Sequence, residues 1–171
     1  MEKNGKGKEY YDDGQLKFEG EYLNGEKWNG KGFNINNEII YVIKNGNGKI
    51  QEYYSNGKLK FEGEYLNGER NGRFKEYYNS GEVFFEGVYL NGKRNGKFKE
   101  YVFNGNLKFE GEYLNGKRNG KCYEYYDNGK LKFEGEYLNG KRNGKGKEYD
   151  YKGKLKFEGE YLDHKRLKKK D

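Results

Sequence analysis

Few residues in this chain could do covalent or metal chemistry. His164 is the one histidine and Cys122 the one cysteine in 171 residues. The serines Ser55 and Ser80 stand among Asn and Gly, where serine is an ordinary turn residue. Cys122 has no histidine near it in sequence to activate a thiolate, and reads as a small space-filling side chain. Asp12-Asp13-Gly14 looks like the start of a calcium loop, but the acidic ligands that should follow are missing. The expectation is no catalytic residue, no cofactor, no metal and no enzyme activity. Fixed positive charge remains. Lys93-Arg94, Lys117-Arg118, Lys141-Arg142 and Lys165-Arg166 recur at equal spacing, and Lys168, Lys169 and Lys170 extend the series. A rim of this kind is drawn to an anionic lipid surface, at about 1 kcal/mol per residue close to it. The candidate anion-binding residues are therefore Lys141, Arg142, Lys165, Arg166, Lys168, Lys169 and Lys170. Nucleic acid would attract the same charges. The interleaved tyrosines, however, follow a packing period rather than a base-stacking one, so no nucleic acid is expected.

The elements that hold these residues are repeats. Phe-Glu-Gly-Glu-Tyr-Leu-Asn-Gly-Lys-Arg stands whole at 109–118 and 133–142, and returns with small changes at 18–27, 61–70, 85–94 and 157–166. Its inner glycine falls at Gly63, Gly87, Gly111, Gly135 and Gly159, a 24-residue period that marks a repeat array. Units start at Asn4, Asn47, Asn71, Asn95, Asn119 and Asn143. A degenerate unit, 29–46, intervenes without a middle turn and carries Trp28 as an extra residue at its joint. The array takes up 1–166 and a basic tail 167–171.

Composition limits the architecture. With 32% hydrophobic and 37% charged residues, a thick globular core is out of reach. Yet 18% aromatic residues argue against disorder, because rings bury the most area per residue. An elongated array whose units bury their rings against neighbours reconciles the two. No apolar run approaches the ~20 residues that cross a bilayer as a helix, and Met1-Glu-Lys-Asn4 has no apolar signal region. The reading is a cytoplasmic protein, or one peripheral at a membrane. Of the net charge of +7, the last eight residues carry +4.

Within 119–142, Cys122–Tyr126 is rich in β-formers. Asp127-Asn-Gly-Lys130 reads as a hairpin tip with a type I′ turn at Asn128-Gly129. Leu131–Tyr137 alternates Leu131, Phe133, Gly135 and Tyr137 on one face with Lys132, Glu134 and Glu136 on the other. Asn139-Gly140 to Asn143-Gly144 forms a second turn region. Glycine inside a strand is unfavourable by roughly 0.5–1 kcal/mol, so something must approach it closely. The rings of Phe133 and Tyr137 are the candidates. Two registers stay open at the tip. A two-residue loop sets Tyr126 opposite Leu131, and a three-residue loop sets Tyr125 opposite Phe133. The invariance of the earlier tyrosine (Tyr10, Tyr53, Tyr77, Tyr101, Tyr125, Tyr149) points to it as the more buried of the two. Asp163-His164 replaces the last Asn-Gly, so no further turn is expected there, and polar ends limit end-to-end growth.

Phe133-Glu-Gly-Glu-Tyr-Leu-Asn-Gly-Lys-Arg-Asn-Gly-Lys-Gly146 closely resembles the MORN repeat, and the insert at 125–132 resembles its longer, bacterial-type variant. The resemblance implies an all-β fold: an elongated single-layer antiparallel sheet of tandem β-hairpins. It also implies a non-catalytic scaffold for protein–protein interaction or, alternatively, peripheral association with anionic phospholipid head groups. Chains with the longer variant are often labelled antitoxins of a toxin–antitoxin pair, which is a further partner class. In place of the second glycine of Gly-x-Gly, the middle units hold Phe74, Phe98 and Cys122, which should reshape the groove. Oligomerisation through sheet edges or ends stays open.

Overall fold

Turn chemistry decides the architecture. At Asn139-Gly140 both residues take positive φ (51° and 88°), which is a two-residue type I′ turn; Asn67-Gly68, Asn91-Gly92 and Asn115-Gly116 do the same. The twist of that turn matches the twist of the strands it joins, so every copy of the phrase runs straight into an antiparallel partner. The hairpin tips are of another kind. The Tyr126 amide donates to the Lys130 carbonyl (2.8 Å) and the Gly129 amide to the Tyr126 carbonyl (2.8 Å), with positive φ at Gly129 but not at Asn128. The tip is thus a three-residue loop, Asp127-Asn128-Gly129, and not the expected type I′ turn.

The structure, a computed structural model, describes residues 3–167. They form fifteen strands and, among the described residues, no helix. Two compact units are present: 1–83 with 89–92, and 84–88 with 93–171. The first holds β1 (Gly5–Tyr10), β2 (Leu16–Leu23), β3 (Glu26–Phe33) and β4 (Ile39–Ile43), a four-stranded sheet in chain order. It also holds β5 (Gly48–Tyr53), β6 (Leu59–Leu66) and β7 (Glu69–Tyr77), again neighbours in chain order. β8 (Val83–Leu90) gives residues to both units. The second unit continues through β9 (Lys93–Tyr101), β10 (Leu107–Leu114), β11 (Lys117–Tyr125), β12 (Leu131–Leu138), β13 (Lys141–Tyr149), β14 (Leu155–Leu162) and the two-residue β15 (Lys165–Arg166). Every pairing is antiparallel, and the sheets do not close into a barrel.

The degenerate unit does have a middle turn, contrary to expectation: the Asn34 amide donates to the Glu38 carbonyl and the Asn37 amide to the Asn34 carbonyl (3.0 Å each), closing a shortened strand pair, β3 with β4. Beyond it the ladder stops: β4 and β5 share only the bridge Lys44↔Asn47 around the Asn45-Gly46 turn. The other turns are stitched to one another. The Gly116 amide donates to the Arg94 carbonyl and the Gly140 amide to the Arg118 carbonyl (2.8 Å each), while the Asn115 amide donates to the Asn95 side chain (3.4 Å). Asp163-His164 continues this pattern, with φ of 49° and 70° and the His164 amide on the Arg142 carbonyl (3.0 Å). The expectation that these two residues would not turn was therefore wrong. Asp tolerates the left-handed region, and His164 gains a hydrogen bond and an edge contact with the Tyr137 ring.

Register separates the faces. Phe133 lies opposite Glu124 on β11 and Glu148 on β13, Gly135 opposite Cys122 and Gly146, and Tyr137 opposite Gly120 and Arg142. These residues share an aromatic face; Glu134, Glu136, Lys121 and Lys147 share the other, charged face. A bulge between Glu124 and Tyr125 puts Tyr125, not Tyr126, opposite Leu131, so neither simple tip register holds. Leu131 is accordingly only half-buried. The expectation about the tyrosines fails at the first tip, where Tyr11 is buried and Tyr10 exposed; the Tyr11 hydroxyl reaches the Phe33 carbonyl (2.8 Å). The expectation about the glycines holds for Phe133 but not for Tyr137, which is not among the atoms nearest Gly135, and at Gly63 the close ring comes from the next strand. A Cβ on Gly135 would sit 2.6 Å from the Phe133 ring, and one on Gly63 would sit 2.5 Å from Phe74.

Phe109 is fully buried and its repeat neighbour Lys108 is exposed. Phe109→Ala is expected to lower the unfolding free energy by ~3–5 kcal/mol, and Lys108→Ala by less than about 0.5 kcal/mol, measured by urea titration.

Candidate interaction surface

A sheet with no second layer needs a cover for its rings, and on the aromatic face an arginine supplies it. The Arg142 guanidinium lies 4.0 Å from the Phe133 ring centre, and that of Arg118 lies 3.8 Å from Phe109. Carboxylates fix the guanidinium in place. Arg142 binds Glu124 at 3.0 Å on one side and Glu148 at 2.6 Å on the other, and the Tyr137 hydroxyl donates to the same Glu124. Arg94 and Arg118 share Glu100 in the same way (2.9 and 3.4 Å). The rings of Tyr137 and Tyr161 close the sides of Phe133 edge-on, at 5.9 and 5.4 Å.

In the first unit Lys27 takes the arginine's place over Phe18 (4.7 Å) and binds Glu9 (2.9 Å) and Glu52 (2.8 Å). Glu52 also binds Lys17 at 2.7 Å. Glu52 stands on β5 and the two lysines on β2 and β3, so this buried cluster ties the two sheets of the unit together where the backbone ladder ends. Burial alone would raise the Glu52 pKa, but the charge of Lys27 and hydrogen bonds from Lys17 and Lys27 outweigh it and hold the carboxyl below its usual range.

The structure thus splits each Lys-Arg pair of the expected rim. Arg142 lies opposite Tyr137 on the aromatic face, with its side chain 15% exposed; Lys141 lies opposite Leu138 on the charged face, 3.3 Å from Asp163. Arg166 binds Glu148 over the Phe157 ring and is 47% exposed. Lys165 is exposed. Lys168, Lys169 and Lys170 lie outside the described residues. Cys122 is buried beneath Gly111, and burial pushes its thiol pKa up. The Ser55 hydroxyl donates to Asp12 (2.9 Å), and that of Ser80 to Glu82.

The charged face carries a feature that the sequence reading passed over. One residue beyond each buried tyrosine, the leucine of the phrase points to this face and stays in water: Leu114, Leu138 and Leu162 are 53%, 51% and 54% exposed, and in the first unit Leu23, Leu66 and Leu90 are exposed as well. Strand parity alone would have placed them there. Inward of the leucines, lysine and glutamate interleave across strands, as in Lys147–Glu158 (3.4 Å) and Lys99–Glu110 (3.5 Å). Where three successive strands carry glycine in register, the comb opens into a groove with a bare backbone floor. One lies over Gly135, Gly146 and Gly159, with a volume of about 510 Å³; another, in the first unit, lies over Gly7, Gly20 and Gly30.

Comparison with known families agrees with this architecture. The model of the MORN repeat variant matches residues 3–24, 46–67, 70–91, 94–115 and 118–139, and that of the MORN repeat matches 133–154. These stretches cover more than half of the chain, which belongs to the MORN-repeat family. A search of curated proteins finds no match. Repeats of this family are commonly modules for protein or membrane interaction.

Glu52 fixes a pH dependence. Its folded-state pKa lies below the unfolded one, so its contribution to stability is complete above about 4.5 and is lost as pH falls through the folded value. The melting temperature of the native chain is expected to fall below that pH. Glu52→Gln should be less stable at neutral pH and show a shallower acid limb.

Proposed function

We propose that this chain is a non-catalytic scaffold that binds protein partners along its charged face. The observation that carries the reading is the exposed leucine set beside the lysine–glutamate comb once per repeat. Apolar side chains repeated in line on a surface, bordered by charge, are the composition of a docking site. Interleaved charges add little to stability but set which partner fits and in which register. The alternative, an anionic lipid surface met by the C-terminal basic rim, would rest on Lys165 and the tail, because Arg142, Arg166 and Lys141 each have a carboxylate beside them. A cytoplasmic location, at a membrane or away from it, accords with either reading.

The test uses Leu114→Ser/Leu138→Ser/Leu162→Ser in one chain, whose circular dichroism and melting should match the native protein because these residues lie in water. Partners captured from the source cell are expected to be lost from the triple variant, and neither chain is expected to float with acidic vesicles. Full retention of partners by the triple variant would overturn the reading. Flotation of both chains, abolished by Lys141→Glu/Lys165→Glu and weakened by salt, would establish the lipid alternative instead.

A further inference from the structure

In the second unit the charged face repeats one motif. Glu112, Leu114 and Lys117 recur as Glu136, Leu138 and Lys141, and again as Glu160, Leu162 and Lys165. The glutamate and the leucine stand two residues apart on one strand. The lysine faces the leucine from the next strand: Leu114 opposite Lys117, Leu138 opposite Lys141, Leu162 opposite Lys165. All of these side chains are exposed. Two rows therefore cross the strands. One alternates leucine and lysine, strand by strand. The other carries the glutamates, roughly 7 Å away along the strand direction. Successive leucines stand two strands apart, about 9.6 Å, with a lysine midway. An α-helix advances about 10.5 Å in seven residues, so its positions i, i+7 and i+14 stay beside three leucines with a slip of roughly 1 Å per repeat. An extended strand presents one face every two residues, about 6.8 Å, and falls out of step at once. A polyproline II segment keeps step at about 9.3 Å per three residues, but it is too slender to cover both rows, and it docks in grooves lined by aromatic rings.

We infer that the occupant of this face is an amphipathic α-helix of a partner protein, laid across β10 to β14. The inference rests on the reading of the charged face as a docking surface. The helix places apolar residues at heptad spacing on Leu114, Leu138 and Leu162. Acidic residues one turn on from these meet Lys117 and Lys141. Basic residues along one flank meet Glu112, Glu136 and Glu160. Lys141 also reaches Asp163 (3.3 Å), but both side chains are more than half exposed, so the lysine can take up a partner's carboxylate. The charge pattern selects the unit as well. In the first unit the leucines face glutamate, Leu23 opposite Glu26 and Leu66 opposite Glu69, which repels the acidic positions of the same helix.

The probe is a fluorescent, alanine-based synthetic peptide of about eighteen residues, a length only marginally helical alone in water. It carries leucine at every seventh position, glutamate four residues after each leucine, and lysine along one flank. Fluorescence polarisation with the full native chain is expected to saturate, and mixing is expected to add helical circular dichroism. Leu114→Ser/Leu138→Ser/Leu162→Ser should weaken binding by roughly tenfold or more. Glu112→Lys/Glu136→Lys/Glu160→Lys should weaken it by a similar factor. That same variant should bind a peptide with glutamate in place of the flanking lysines better than the native chain does, a gain that unfolding cannot produce. No binding by the native chain up to about 1 mM would overturn the inference. So would binding without a gain of helix, or equal affinity for a peptide of the same composition with its leucines spread around the helix. If any of these results accompanies loss of cellular partners from the leucine variant, the docking face stands and its helical occupant falls. If partners are retained, the docking face falls as well.

Discussion

A single sheet leaves both its faces to water, and this one persists because guanidinium groups lie over the ring row and carboxylates hold them there. The ring row by itself would be a strip of exposed phenylalanine. The Arg142 position supplies a cation over Phe133, and the flanking Glu124 and Glu148 remove the cost of leaving that cation unpaired at a half-buried site. Glu148 stands on the same strand as Arg142 and Glu124 on β11 of the preceding repeat, so the clamp also joins one repeat to the next. Glycine opposite glycine, as at Gly135 and Gly146, keeps the backbone under the ring bare, so the ring can lie against it.

Once the arginines belong to the clamp, the surface chemistry of the chain changes. The lysine of each Lys-Arg pair is left facing the charged side, beside an exposed leucine. Positive charge counted along the sequence is therefore not positive charge offered to a partner. Variation along the array follows the same logic. Lys27 in place of arginine falls at the unit where the sheet breaks, and Glu52 reaches across that break. Phe74, Phe98 and Cys122 fill the aromatic side where the end units have glycine.

Much of this was legible in the residues. The 24-residue period, the parity of Phe133, Gly135 and Tyr137, and the Asn-Gly dipeptides define an all-β array of hairpins, because each rests on a local rule: strand alternation, close approach to glycine, positive φ in turns. The tips were misread because Asn128-Gly129 suits a type I′ turn by composition, whereas the loop closes one residue earlier, between Tyr126 and Lys130. That choice and the bulge behind it decide the register, and they depend on packing between hairpins, which the sequence does not display. Glu124 and Arg142 escaped for another reason. Charged residues are assigned to the wet face by default, whereas alternation along β11 and β13 carries these two to the ring side, opposite Phe133 and Tyr137. Leu138 needed no more than parity, one position past Tyr137.

The central claim is that the guanidinium is the second layer of this sheet. Urea unfolding of Arg142→Met, which keeps a long side chain over Phe133 but removes the charge, tests it most directly against Lys145→Met on the charged strand rows. If the clamp holds the face together, Arg142→Met loses about 2 kcal/mol or more, because the half-buried Glu124 keeps only the Tyr137 hydroxyl and Glu148 only Arg166, while Lys145→Met changes stability by less than about 0.5 kcal/mol. Equal, small effects for the two substitutions would contradict the account.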